Sequence, residues 1–194
     1  MKKLFYLLTL STLAAFAGTG CQSIPKTTVS VARMSQPPPG KALVNFHRPS
    51  NYGGGERVPI FDGNGKMLID LPGASLFQCV RDPGEQLFIA WADHVTVIKA
   101  DLAPDKIYDI MVDVGMGWVQ ANIMLTPMSK ADPRRAKLSE FESREKRTLG
   151  LNPDSPRVAE YQTKNQARVA EIKADFLSGQ KSNRVEQLNQ SDCR

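Results

Sequence analysis

Short runs of alternating apolar and polar residues fill the middle of the chain, and Gly- or Pro-bearing turns separate them. In the run 42–48, Ala42, Val44 and Phe46 share one face, because successive strand side chains point to opposite sides. Gly63-Asn64-Gly65 lies between two further runs and suits a tight hairpin, since Gly and Asn tolerate positive φ. About seven or eight such strands predict a mainly β fold, a small antiparallel β-sandwich over residues 42–127.

The clearest half-buried strand is Ile107–Val114. One face carries apolar side chains at alternate positions, from Tyr108 to Val114. The other face carries Asp109 and Asp113. This alternation predicts that the apolar side chains enter the core and that both carboxylates are solvated.

The pattern changes after Pro127. Asp132-Pro133 is a good helix start, and Ser155-Pro156 begins a second helix that Gly179 would end. We therefore predict a two-helix extension over residues 128–194, with an end that is disordered from residue 182 unless Cys193 ties it down. The second helix carries an apolar stripe formed by Val158, Tyr161, Val169, Ile172 and Phe176. Such a stripe packs against the protein's own body, docks another envelope protein or lies on a membrane surface.

Residues 1–20 have the organisation of a signal peptide. Lys2 and Lys3 precede an apolar stretch over residues 4–17 that is too short for a stable membrane span. Small residues lead to Cys21, as in a bacterial lipobox whose cysteine is acylated and becomes the mature N-terminus. Ala15-Phe16-Ala17 is a competing site for ordinary cleavage, and its use would release a soluble protein.

Residues 21–41 are predicted to be a flexible tether behind the lipidated cysteine. The segment lacks periodicity and ends in Gln36-Pro37-Pro38-Pro39-Gly40, which favours a polyproline II spacer. Fully extended, it would reach about 65 Å.

The chain has three cysteines, so in an oxidising compartment one of them would be left without a disulfide partner in the same chain. If Cys21 carries lipid, Cys79 and Cys193 remain as a candidate disulfide. That bond would close a long loop and stabilise the fold by roughly 4–5 kcal/mol. In the alternative, Cys79 is a small buried strand residue and Cys193 is a free thiol.

The charge pattern and the rarity of metal-binding side chains exclude several functions. From residue 129 onward, 14 Lys and Arg are interspersed with 10 Asp and Glu, which is a poor footprint for nucleic acid. His47 and His94 lack zinc-site spacing, and Asp62–Lys66 lacks the later ligands of a calcium loop. We therefore expect no metal, no cofactor and no catalytic residues, and hence no enzyme.

Four turn motifs occur along residues 41–125 in an order that can be compared with known domain families. They are Arg48-Pro49, the hairpin at 63–65, Asp82-Pro83-Gly84-Glu85 and Asp105-Lys106-Ile107-Tyr108. In this order residues 41–125 resemble a family of bacterial lipoprotein domains with a PEGA-like or transthyretin-like β-sandwich. That family usually has Gly where this chain has Asp105. The resemblance implies a sandwich located in the cell envelope, and it implies no catalytic residues.

These observations predict a membrane-anchored envelope lipoprotein that serves as a non-catalytic binding or scaffolding module. Its partners would be the membrane, through acyl chains on Cys21, and another envelope protein, through the C-terminal helices. Gln22 stands where Asp would mark inner-membrane retention, which favours the outer membrane, facing the periplasm. In the alternative, Asn51, Tyr52 and Trp118 bind carbohydrate or cell wall.

Overall fold

The computed structural model describes residues 26–52, 56–92, 94–116, 121–144, 147–178, 181 and 184–194. Within these residues eleven strands form two β-sheets, which confirms the prediction of a mainly β protein. The strands are β1 (Thr28–Ser30), β2 (Ala42–Arg48), β3 (Val58–Asp62), β4 (Met67–Leu71), β5 (Ser75–Arg81), β6 (Gly84–Trp91), β7 (Val95–Leu102), β8 (Ile107–Met116), β9 (Ala121–Pro127), β10 (Thr148–Leu151) and β11 (Val185–Leu188). The helices are α1 (Arg135–Arg144) and α2 (Pro156–Ser178), and a short 3-10 helix spans Gln190–Asp192.

The six-stranded sheet has the order β1-β10-β5-β2-β8-β9, and the five-stranded sheet has the order β11-β7-β6-β3-β4. Both sheets are mixed, because β2 pairs with β8, β5 with β10 and β7 with β11 in parallel. The prediction of a purely antiparallel sandwich with seven or eight strands was therefore wrong in these details. Parallel pairing arises because the chain leaves one sheet, builds part of the other and returns in the same direction.

The main core lies between the two sheets. It takes alternate residues of the longer strands, among them Phe46 and Phe77 from the six-stranded sheet and Phe88 from the five-stranded sheet. The rings of Phe46 and Phe88 meet edge to face with centroids 5.2 Å apart, a favoured aromatic geometry. As predicted, Tyr108 and Val114 face this core from β8.

The C-terminal region is not a separate helical extension. Thr148 and Leu149 of β10 pair with Leu76 and Phe77 of β5, and β11 pairs with β7 along four residues. Residues 184–194 are thus structured where disorder was predicted. The two strands are only four residues long, and they form because they satisfy backbone groups at the edges of β5 and β7.

The two helices do not form a hairpin. Leu138 of α1 packs with Met111 and Met128 on the outer face of the six-stranded sheet. The helix α2 packs on the outer face of the five-stranded sheet, against Phe61 and Ile89. Strand β10 separates the helices along the chain, and the sandwich separates them in space.

The predicted tether is mostly part of the folded body. Strand β1 pairs antiparallel with β10, and Val31 continues this pairing by donating its backbone N–H to Thr148 O at 2.9 Å. Further along, Met34 exchanges two hydrogen bonds with the Gln78 side chain. The signal peptide and Cys21 lie outside the described residues.

Two of the turn motifs have clear structural roles. Arg48 is fully buried, and its Nη1 donates to the carbonyls of Glu56 and Leu71 at 2.8 Å each. Burial lowers the pKa of this guanidinium. Asp105 adopts φ +59°, the left-handed conformation that Gly adopts freely and Asp tolerates.

Candidate functional site

Asp109 lies on the outer face of β8, yet it is fully buried. The prediction that it is solvated was wrong. In the parallel pairing of β2 with β8, Asn45 lies opposite Asp109 and His47 lies opposite Met111. This register places Asn45, His47 and Asp109 on the same face, because side chains two residues apart on a strand project to the same side.

Four side chains surround the Asp109 carboxylate. Asn45 Nδ2 donates to Oδ1 at 3.0 Å, and His47 Nε2 lies 2.9 Å from the same oxygen. Arg135 Nη1 of α1 donates to Oδ2 at 2.8 Å. Arg194 donates to both oxygens at 2.6 Å, from Nε and Nη2, a bidentate geometry that makes a strong charge-assisted pair.

These contacts determine the ionisation of Asp109. Burial alone would raise its pKa, but hydrogen bonds from Arg194 and His47 outweigh that effect and hold the pKa well below its usual range. The same bonds raise the pKa of Arg194 above its normal value. Asp109 is therefore a carboxylate held as an anion, and His47 carries a proton on Nε2 because that nitrogen faces the carboxylate oxygen.

Glu142 of α1 adds a second carboxylate to this group of side chains around Asp109, which we call the Asp109 cluster. Arg194 Nη1 donates to Glu142 Oε2 at 3.1 Å, and Arg33 Nη2 contacts the same oxygen at 3.2 Å. His47 Nε2 lies 3.6 Å from Glu142 Oε1, and Phe141 covers the imidazole edge to face. The cluster thus joins the segment after β1, the sheet, α1 and the C-terminal segment.

His47, Asp109 and Glu142 also place one ligand atom each within 4.8 Å of one another, which makes them a candidate metal site. A divalent cation would need the carboxylate oxygens that Arg135, Arg194 and Arg33 now contact. Binding would therefore have to displace guanidinium groups that already neutralise the carboxylates. This donor set suits a structural ion-pair network better than a metal centre.

The two central members of the cluster, His47 and Asp109, are fully buried. Two hollows of about 500 and 530 Å³ lie along α2, one lined by Gly63, Lys173 and Leu177 and the other by Arg168 and Glu171. None of their lining residues belongs to the Asp109 cluster.

The predicted docking stripe is mostly internal. Val158, Val169, Ile172 and Phe176 are buried against the outer face of the five-stranded sheet. Only Tyr161 remains substantially exposed, at 46%. The stripe therefore packs against the protein's own body, as one of the three alternatives expected, and four of its five side chains are not exposed for a partner to contact.

The two described cysteines are both buried, and both are free thiols. Arg194 donates its backbone N–H to Ile107 O at the edge of β8 away from β2. Strands β2 and β8 thus separate Cys79 on β5 from the backbone next to Cys193. Those strands impose a separation beyond the roughly 7 Å between Cα atoms that a disulfide allows, so the predicted bond is not formed.

Asn51 and Tyr52, two residues of the carbohydrate alternative, line neither of the hollows along α2. Asn51 and Tyr52 are exposed in the turn that follows β2, whereas Trp118 lies outside the described residues. His94 is exposed before β7, far in sequence from His47 on β2.

Sequence reasoning missed the Asp109 cluster because its members are spread over the whole chain. The usable signal was the recurrence of polar residues, Asn45 and His47, on the strand that pairs with the one carrying Asp109. No local pattern indicated that Arg135 and Arg194 bind Asp109, since they lie 26 and 85 residues from it in sequence.

Comparisons of the chain with models of protein families, with curated proteins and with solved structures gave no match. In the part of the chain that the structure describes, neither helix has the length and apolar character needed to cross a membrane.

Proposed function

We propose that the chain is a membrane-anchored bacterial envelope lipoprotein whose β-sandwich is a non-catalytic binding or scaffolding module. The observation that carries this proposal is the arrangement of the N-terminal region. A basic and apolar leader ends in small residues and Cys21, and the folded body begins within a few residues, at β1. Several acyl chains on one residue would anchor such a body stably.

The geometry of the Asp109 cluster supports the non-catalytic part of the proposal. Its carboxylates are saturated by Arg135, Arg194 and Arg33, and its imidazole is fully buried. A general base must reach a substrate proton, directly or through one water molecule. The cluster instead ties distant segments into one rigid body, as a scaffold requires.

Metabolic labelling with a palmitate analogue tests the anchor directly. The Cys21→Ser variant should lose both the label and membrane association, because no thiol remains for acylation. Ser23→Ala, two residues away, is the matched control and should keep both. An unlabelled wild-type protein whose mature chain starts at Gly18 would overturn the proposal.

The proposed location is the periplasmic face of the outer membrane. Gln22 follows the acylated cysteine, whereas Asp at that position marks retention in the inner membrane. On a sucrose gradient the wild type should therefore sediment with outer membranes, and Gln22→Asp should shift it to the inner-membrane fraction. Recovery of the wild type with inner membranes would contradict this location.

A further inference from the structure

Few residues lie between the proposed anchor, Cys21, and the first residue that is hydrogen-bonded to the body. Asn152, in the loop between β10 and α2, donates its backbone N–H to Thr27 O at 2.8 Å and its Nδ2 to Lys26 O at 2.9 Å. Lys26 is therefore already fixed to the body. Only five peptide steps separate it from Cys21, which can span at most about 18 Å.

The surface beside this attachment is formed by the edge strand of the six-stranded sheet. Val29 and Val31 lie two residues apart and are 42% and 44% exposed. Lys26, immediately before β1, is also exposed. Exposed apolar side chains next to a basic residue suit the interface between headgroups and acyl chains of an anionic bilayer.

The opposite edge of the same sheet is far from this attachment. Strand β9 is separated from β1 by four intervening strands, and five inter-strand spacings amount to about 24 Å. A tether attached at Lys26 therefore holds one edge of the sheet near the bilayer and leaves the other edge farther away.

We infer that the β1 edge, with Val29 and Val31, is the surface of the body that contacts the lipid headgroups, and that the short tether holds it there. This inference rests on the proposed acylation of Cys21. It places the whole body next to the membrane rather than at the end of a long flexible spacer. The partner of this surface is the bilayer itself.

The test uses the full acylated protein in vesicles of phosphatidylethanolamine and phosphatidylglycerol that contain a headgroup-spin-labelled lipid. A fluorophore is attached at Val31→Cys or, as the matched control, at Met124→Cys on β9, where the native side chain is 46% exposed. The native Cys79 and Cys193 are buried and stay unlabelled in the folded protein. The nitroxide should quench the label at position 31 at least about twofold more, because about 24 Å separates the two edges.

A third variant tests the role of the tether. A Gly-Ser insertion of about 12 residues after Ser23 adds about 20 Å of average reach and should lower quenching at position 31 to the level at position 124. Equal quenching at both positions in the acylated protein, or unchanged quenching after the insertion, would overturn the inference alone. Intact mass showing no acyl chain on Cys21 would overturn the proposed function as well.

Discussion

The substitution Asp109→Asn removes one negative charge from the centre of the buried cluster while keeping the shape of the side chain. The amide retains a single acceptor oxygen. Its NH2 group replaces the other oxygen and directs its hydrogens at a guanidinium that, in the wild type, donates to that oxygen. Arg135 would therefore lose the carboxylate that it contacts, and Arg194 would keep only Glu142 as a charged partner, in a site where Asp109 itself is fully buried.

Removing one partner of a buried ion pair costs about 3–5 kcal/mol, because the remaining charge is left uncompensated. The side chains of Arg194 and Arg135 are 34% and 20% exposed, so both can recover some hydration. We therefore expect a loss near the lower limit, about 3 kcal/mol. This is a large share of the roughly 5–15 kcal/mol that stabilises a typical domain.

Urea unfolding followed by circular dichroism and tryptophan fluorescence measures this loss. The matched control is Asp113→Asn, which lies four residues along β8 on the same face and is only half-buried. Burial raises the pKa of Asp113, so its charge is unfavourable in the folded state. Its replacement should leave stability unchanged or raise it slightly, and a similar loss in both variants would refute the special role of Asp109.

The two aspartates should also affect the pH dependence of stability in opposite directions. The folded-state pKa of Asp109 is depressed, so its contribution is present above the unfolded value and is lost as the pH falls below about 4. The folded-state pKa of Asp113 is raised, so its contribution is present below about pH 4 and is lost as the pH rises. Between about pH 3 and 5, Asp109→Asn should flatten the acid loss of unfolding free energy, and Asp113→Asn should steepen it. Parallel pH profiles for the wild type and both variants would contradict these opposite pKa shifts.

Two further predictions concern the core and the thiols. Phe176→Ala should destabilise the protein by about 3–5 kcal/mol, because it leaves a cavity between α2 and the five-stranded sheet, whereas Tyr161→Ala on the exposed side should cost under about 1 kcal/mol. Equal losses in urea unfolding would contradict the packing of α2. Cys79 and Cys193 should be inert to Ellman's reagent in the native protein and should both react in denaturant without reductant. Finding neither thiol under those conditions would show that the disulfide forms after all.

Much of the sandwich was predictable because its longer strands and turns are specified by patterns of neighbouring residues. Alternation marks β2 and β8, whose apolar faces meet the core as expected, and the Gly63-Asn64-Gly65 turn does join β3 to β4. Helix α2 begins at Pro156 and ends at Ser178, as predicted from Ser155-Pro156 at its start and Gly179 after its end. Periodicity and turn chemistry depend only on neighbouring residues, so one sequence suffices to read them.

Strands β1, β10 and β11 were not predictable in this way. They span only three or four residues, too few to show a period. Their extended conformation depends on a neighbouring edge that offers hydrogen bonds, such as that of β7 for β11. A segment that reads as tether or tail in isolation becomes a strand when the sheet beside it is in place.

The sequence by itself determined the mainly β class, the positions of the central strands along the chain, the limits of α2 and the lipobox-like leader. Only the tertiary structure decided that α2 turns its apolar stripe inward and that Asp109 is buried among arginines. The reason is that burial of a charge depends on partners in space. Arg135 and Arg194 come from segments 26 and 85 residues away from Asp109, and no local pattern records that they meet.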